Sequence, residues 1–483
     1  MNQVLATIRR RPDASAYLGI ALLTGIGLAW FLALGWTLPL YETENLAEWY
    51  PYREFFNRTV SRGLFPAWCP DLLCGFPFIG WAHASGLAPA GIIYYLLPFE
   101  RAATVSLFLH AGLATTGLYY LQRAMQVRPY AAFLCATAVG FGYFLPAEQR
   151  HFLPRLLSLS WTPLMWAFLA QMLRQKKLVH FLGFVFTASL CCLGGHVEIF
   201  ARSMSLALFV LLLVLTIYRP PTRDLVSGAV LYLAAVAMIF LVAAPQLLDT
   251  LKLLGLSTRQ AKYFYPAYAF ISGWQVATLF FPFMAVNLFI VWGLAASLPT
   301  LRRDRTNATL VFTIAVCFAL AFNFLQVLHL THLIPVFNRM LWHVYMLHLA
   351  AFISAVLAGR IMDGALSGAA PSRTSKIFPW FAAAHLFAIA IFLQVFKPVA
   401  EVSDLLAALA GLHALALVFI GLPAFPGDRR RTAFAVGFSV MVIFGPLLVT
   451  HDKDFKFQFS RKYRDTVEGK YGACRVLNIY SPG

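Results

Sequence analysis

The residues of this chain able to do chemistry fall in a few short stretches. The first is Glu42, Glu44, Glu48, Glu54 and Asp71, set among aromatics and prolines in residues 41–100. Glu44 and Glu48 stand four apart, so a helix would place both on one face. A carboxylate there suits general-base work on a hydroxyl. The plainer reading, a solvated helix face, is preferred for Glu42, Glu48 and Glu54 taken singly. A second stretch is Glu148, Gln149, Arg150, His151 and Arg155, and a third is Gly195-His196-Val197-Glu198 with Arg202. His196 and Glu198 are two apart, not the four of a helical metal pair, so a hydrogen bond or helix-end contact is expected before a metal site. A fourth stretch holds Asp249, Lys252, Ser257, Arg259, Gln260 and Lys262, and Asn338 with Arg339 follows. Arginines flanked by aromatics are suited to clamping a phosphate through paired N–H donors. They serve equally well for lipid headgroups or for pairing with the acids just named.

The elements that must position these groups are membrane helices. Of 483 residues, 60% are hydrophobic and only 12% charged, against about 25% charged in soluble domains. That excludes a soluble globular, disordered or disulfide-scaffold protein. Apolar runs long enough to cross a bilayer number about thirteen. They cover roughly 16–40, 101–122, 130–146, 156–173, 178–196, 203–218, 225–248, 277–299, 308–328, 341–359, 377–396, 402–424 and 432–450. Segment 85–99 is too short to span and belongs at the interface.

The net charge of +18 comes from short basic clusters between these runs, a loop signature and not a nucleic-acid surface. Clusters at Arg9/Arg10/Arg11, Arg123/Arg128, Arg174/Lys176/Lys177, Arg219/Arg223, Arg302/Arg303/Arg305, Arg360/Arg373/Lys376 and Arg429/Arg430/Arg431 fall in every second loop. The N-terminus is therefore expected in the cytoplasm, the C-terminus outside, and all the reactive stretches on the outer face. The first span, long and without a clear cleavage site, reads as an uncleaved anchor.

The expected fold is an all-α polytopic membrane protein of about 11–14 transmembrane helices with a long first periplasmic loop. Residues 1–450 form its transmembrane domain, with interfacial helices in the 41–100 loop, and 451–483 a short periplasmic tail. Cys135, Cys191, Cys192 and Cys317 read as packing residues. Cys69 and Cys74 share the first loop, as a disulfide or as two thiols. Asn57-Arg-Thr is a glycosylation triplet of a kind common by chance. His343, His348, His385 and His413 lie in spans, where hydrogen bonding between helices is preferred over a proton relay. No Walker A, G-x-G-x-x-G, H-E-x-x-H or nucleophile elbow occurs, so nucleotide hydrolysis and soluble-type proteolysis have no support.

Glu44-Asn-Leu-Ala-Glu48-Trp-Tyr-Pro51, then Gly63-Leu-Phe-Pro-Ala-Trp-Cys-Pro70, then Cys74-Gly-Phe-Pro77 resembles the first loop of the YfhO family of bacterial membrane proteins. Trp161-Thr-Pro163, Gly195-His196, Pro245-Gln246, Ser257-Thr-Arg259, Phe280-Phe-Pro282 and Phe337-Asn-Arg339 follow in the family's order, so the likeness covers about 41–345. Glu44 stands where the family usually has Asp, and Glu48 where it often has Gln. Many relatives continue into further spans or a periplasmic domain, whereas here about 33 residues follow the last expected span, ending in the strand-like Arg475-Val-Leu-Asn-Ile. Acceptor recognition by a partner protein is therefore a further expectation.

The resemblance implies the GT-C superfamily of membrane glycosyltransferases, which take a sugar from a polyprenyl-phosphate carrier on the outer face of the membrane. It implies an inverting transfer to an envelope glycan or lipid acceptor in the bacterial inner membrane. Glu44, or Glu48 beside it, would be the base. Arg259, with Arg339 or Arg150 and its neighbour His151, would meet the carrier phosphate; His196 and Glu198 would orient sugar or acceptor. Trp68, with Trp49 and Trp81, would hold the carrier at the interface among membrane lipids. A divalent cation is compatible with the carboxylates, though no spacing demands one. The rival readings are a lipid-linked sugar transporter and a catalytically inactive scaffold subunit. The crowding of ionisable residues at the outer edge, away from the bilayer midplane, and the lack of a repeat favour the enzyme.

Overall fold

The computed structural model describes residues 12–33, 49–71, 75–141, 153–218, 221–256, 304–324 and 345–366, with 297, 301, 327, 330, 331 and 333. Helix α1 is Pro12–Ala33. The first loop follows, with α2 (Tyr50–Ser61), a hairpin of β1 (Trp68–Cys69) and β2 (Phe76–Pro77), two 3₁₀ turns and α3 (Ile93–Leu96). Then come α4 (Phe99–Ala124), α5 (Pro129–Val139), α6 (Leu153–Leu159), α7 (Thr162–Gln175) and α8 (Leu178–Leu193). Helices α9 (Val197–Tyr218), α10 (Thr222–Leu256), α11 (Arg305–Ala321) and α12 (Met346–Leu366) complete the described bundle.

Five of the described helical stretches are long and apolar enough to cross a membrane, namely α1, α6 running into α7, α9, α10 and α12. Segment 85–99 carries only short turns and the four-residue α3, as its length requires. The expected spans at 377–396, 402–424 and 432–450, and 277–299 apart from Ser297, lie outside the described residues, as does the tail 451–483.

Several boundaries differ from the apolar runs for local reasons. The run 156–173 is broken at Ser160-Trp161, and Pro163 opens the first turn of α7, where its missing N–H needs no partner. The run 178–196 stops at Leu193 because a glycine pair follows, and α9 begins at Val197 instead of 203. The run 225–248 extends to Leu256, passing through Pro245. At 35 residues and ~1.5 Å each, α10 outreaches the ~30 Å hydrocarbon layer. Its far end meets the first loop, where the Thr250 hydroxyl donates to Gly80 O at 2.8 Å. A side chain at Gly80 would collide with the Asp249 carbonyl, so the glycine permits this approach.

The helices run back and forth, giving the bundle two chemically distinct ends. At one end Arg123 meets Asp13 at 2.6 Å, Arg128 pairs with Asp363, and Lys176 meets Asp224 at 2.5 Å. Arg360 reaches Asp304 at 2.9 Å, and Asp304 also caps α11 by accepting from the Thr306 and Asn307 amides. The described members of the alternating basic clusters gather here. The opposite end carries the first loop with His196, Glu198 and Arg202.

Between the ends the core is tight. Ala111, Ala114, Ala132, Ala136, Ala351 and Ala355 are all buried and belong to one cluster across α4, α5 and α12. Small residues let membrane helices approach closely where no hydrophobic effect draws them together. Cys135, Cys191, Cys192 and Cys317 are buried among such residues, in keeping with packing roles.

The loop has a smaller core of its own, built from Tyr52, Phe55, Cys69, Phe76, Phe78 and Ile79. The hairpin pairs Trp68 with Pro77 and Cys69 with Phe76. Cys74, the other cysteine of this loop, lies outside the described residues. The Asn57 side-chain amide donates to Tyr94 O at 2.9 Å, tying α2 to α3.

Candidate functional site

The site is organised by the turn between α8 and α9. Gly195 has φ of +110°, a conformation that side chains resist, and a Cβ there would overlap Ser85 Oγ. A Cβ on Gly194 would sit 2.8 Å from the Ser158 backbone nitrogen. Two bare glycines thus let the turn wedge between α6 and the first loop. Ser85 Oγ donates to Gly194 O at 2.9 Å, and Ser158 Oγ accepts the His196 backbone N–H at 2.9 Å. His196 is thereby held from both neighbours immediately before α9 begins.

Arg53 on α2 secures the loop side. Its Nη2 donates to Ser85 O at 2.8 Å. The guanidinium is otherwise enclosed by Trp49, Phe56 and Tyr94, whose ring centroids lie 5.6, 5.7 and 5.4 Å away. Burial pulls Arg53 down to about 10 from its ordinary 12.5, still charged at neutral pH. The same burial raises the Tyr94 hydroxyl. Cation–π attraction offsets part of the desolvation.

Around His196 four further elements converge. The His83 ring, from the 3₁₀ turn Ala82–Ala84, lies 5.1 Å from the His196 ring. His196 Nε2 and the Tyr345 hydroxyl share a hydrogen bond of 2.9 Å. The Tyr345 ring receives two cations, Arg155 from α6 at 5.4 Å and Arg202 from α9 at 4.7 Å. Arg202 is fully buried and pairs with Glu198 one turn earlier at 2.6 Å. Among the described residues, two guanidiniums, a phenol, two imidazoles and one carboxylate make a wall at this end of the bundle. Such a wall is suited to an anionic group, whose oxygens guanidinium forks match and whose charge a low-dielectric setting rewards.

His196 and Glu198 are the expected site residues that the structure brings together, with Arg155 from the second stretch. At the start of α9, Glu198 makes the ion pair to Arg202 and His196 the hydrogen bond to Tyr345. Trp68 stands apart: it is 56% exposed on the hairpin, its ring against Gly75, and no contact among the described residues joins it to His196. Glu44, Glu48, Arg150, His151, Arg259 and Arg339 lie outside the described residues. Glu54 is exposed on α2, and Asp71 pairs with Arg58. Among the described residues no three His, Cys, Asp or Glu side chains form a metal-holding group.

Sequence reasoning missed Arg53, His83 and Tyr345. His83 lies in the 41–100 loop without having been singled out there, and Tyr345 lies inside an expected span. A signal for Tyr345 was its place just after Phe337-Asn-Arg339, at the boundary of an apolar run. Thr162 of Trp161-Thr-Pro163 bonds Ser203 Oγ at 3.2 Å, and Gln246 of Pro245-Gln246 donates to Cys192 O at 3.5 Å behind the glycine turn.

The fold and this end-on site define an all-α polytopic membrane protein. The solved structure of ArnT from Cupriavidus metallidurans bound to undecaprenyl phosphate is similar, with a TM-score of 0.51 over 89% of this chain and 76% of that one. Identity is 14%, so the likeness is one of fold. No protein-family model matches the chain. No curated protein matches it either.

Proposed function

We propose that the chain is a membrane glycosyltransferase of GT-C type. It moves a sugar from a polyprenyl-phosphate carrier to an envelope glycan or lipid acceptor at the periplasmic face of the bacterial inner membrane. The observation that carries this reading is the wall of Arg155, Arg202, His196 and Tyr345 at one end of a bundle with the fold of ArnT. ArnT was solved with a polyprenyl phosphate bound, and a cationic wall at the end of the spans is the complement such a headgroup requires.

The reaction is a single in-line displacement. The acceptor hydroxyl oxygen bonds to the anomeric carbon as the bond from that carbon to the carrier phosphate oxygen breaks. The hydroxyl proton passes to Glu44, or to Glu48 four residues further along the sequence. Negative charge developing on the departing phosphate is stabilised by Arg259, Arg339 or Arg150, with His151 beside it, and by the Arg155–Arg202 wall. His196 and Glu198 orient the sugar or acceptor, and Trp68 belongs to the aromatic loop that holds the carrier at the interface. A divalent cation and a protein partner for acceptor recognition are further parts of this reading.

The test is sugar transfer in membranes expressing wild type, Glu44→Gln or Arg202→Met, supplied with radiolabelled polyprenyl-phosphate sugars. Label entering an envelope acceptor with wild type, and falling at least ~100-fold in Glu44→Gln, supports both the activity and its base. Full transfer by Glu44→Gln removes Glu44 from the mechanism. Carrier flipping without any transfer would replace the enzyme with a transporter.

A further inference from the structure

At the end of the bundle opposite His196, α7, α9, α10, α11 and α12 leave a cavity of about 950 Å³ between them. Its walls are apolar, among them Trp166, Leu169, Leu211 and Leu215, and Gly228 forms part of its floor. It opens sideways between α9 and α10, where Leu212 is 55% and Leu233 65% exposed. Its charged groups, Arg174 and Asp224, sit at the rim with Tyr218 and Thr306, while the Thr309 and Thr313 hydroxyls on the wall donate to the Arg305 and Thr309 carbonyls of their own helix. Helix α9 separates this rim from His196 by its whole length, 22 residues or ~33 Å.

We infer that this groove is a binding site for an anionic membrane phospholipid, one acyl chain lying between α9 and α10 and the phosphate meeting Arg174. An apolar void of this size forfeits dispersion contacts along its lining. Water cannot fill it, because a buried water needs two to four polar partners and the walls offer almost none. In a bilayer the solvent at the open side is the acyl chain.

The rim selects the headgroup. Its carboxylate, Asp224, is taken up by Lys176 at 2.5 Å. Arg174 meets only neutral oxygens among the described residues, the Ala124 carbonyl and the Gln171 amide, each at 3.1 Å. Arg305, next to the rim residue Thr306 but not itself on the cavity wall, likewise meets the Ile217 carbonyl at 3.2 Å. Two cations without carboxylates favour a phosphate carrying a net negative charge. The Tyr218 and Thr306 hydroxyls, bonded to each other at 2.9 Å, offer a further donor to its oxygens. This site is separate from the transfer chemistry and does not depend on it.

The test uses the full chain purified in detergent, stripped of lipid and titrated with phosphatidylglycerol or phosphatidylcholine under native mass spectrometry. Wild type should retain phosphatidylglycerol at least ~5-fold more tightly than phosphatidylcholine, about the effect of one basic residue near a headgroup. Gly228→Phe should abolish the difference by filling the groove, since a Cβ at Gly228 makes only ordinary contact, 3.6 Å from Leu173. Arg174→Ala should keep chain binding but lose the ~5-fold preference. If Gly228→Phe does not fold, Gly228→Leu and Arg174→Ala give the same two readouts. Equal binding of the two lipids by wild type overturns the inference. So does unchanged preference in both variants, or a protein subunit in place of the lipid.

Discussion

The Tyr345 hydroxyl lies 2.9 Å from His196 Nε2, though 149 residues separate the two in the chain. Tyr345 precedes α12 and His196 precedes α9, so this hydrogen bond joins two helix starts at one end of the bundle. The guanidiniums of Arg155 and Arg202 over the same ring make Tyr345 the centre of the site.

Tyr345→Phe separates the hydrogen bond from the ring. The ring still receives both cations, and a hydrogen bond of ~1 kcal/mol is lost, so transfer should fall about 3- to 10-fold with little change in melting temperature. Tyr345→Leu removes the cation–π contacts as well and should lower stability by a further ~1–2 kcal/mol. Transfer kinetics and thermal unfolding in detergent measure the two effects. Wild-type transfer by Tyr345→Phe would detach the pair from function.

Gly195→Ala should be among the most damaging single-methyl changes in the described chain. It adds strain at φ +110°, worth ~1–3 kcal/mol, and an overlap with Ser85 Oγ. The expected outcome is a loss of ~2–4 kcal/mol and of transfer together, because the turn that carries His196 must move. A melt unchanged from wild type would contradict the close packing at this turn.

Arg53 fixes a pH dependence by its sign. The folded protein binds the Arg53 proton less tightly, at about 10 against 12.5. Stability therefore rises with pH only between those values, as the folded state sheds a charge that the unfolded state keeps. Between pH 6 and 9 Arg53 should contribute no slope, so wild type and Arg53→Met should give parallel stability curves there. Arg53→Met should still impair transfer, since Ser85 O loses its donor. Chemical unfolding across pH would expose a slope at neutral pH if the guanidinium titrated lower.

Asp304 lies at the end away from the site and should affect stability alone. Asp304→Ala removes the α11 cap and the Arg360 partner, a loss of ~1–2 kcal/mol. Asp304→Asn keeps a capping oxygen and should lose less than ~1 kcal/mol. Specific activity per folded molecule should match wild type in both; a drop would mean that the two ends are coupled.

Local chemistry was legible in the sequence because it depends on near neighbours. Apolar runs of bilayer length announced helices such as α9 and α12, and basic residues in alternate loops announced which helix ends share a side. His196 and Glu198, two apart, pointed to a local hydrogen bond or helix-end contact, while the ion pair from Glu198 to Arg202 came only with the structure. The long loop between the first two spans was marked by its length and by its carboxylates, aromatics and prolines.

Convergence was not legible, because helical periodicity carries no information about which helix lies beside which. That is decided by close approach at small residues, as where alanines let α4, α5 and α12 meet, and by the glycine pair that lets the α8–α9 turn enter the first loop. Only this packing places Ser85 on Gly194, His83 on His196, and Tyr345 beneath two arginines drawn from different helices. Each of those side chains alone reads as a loop or core residue. Their shared position, and with it a cationic wall in place of scattered charges, arises from contacts that span more than a hundred residues.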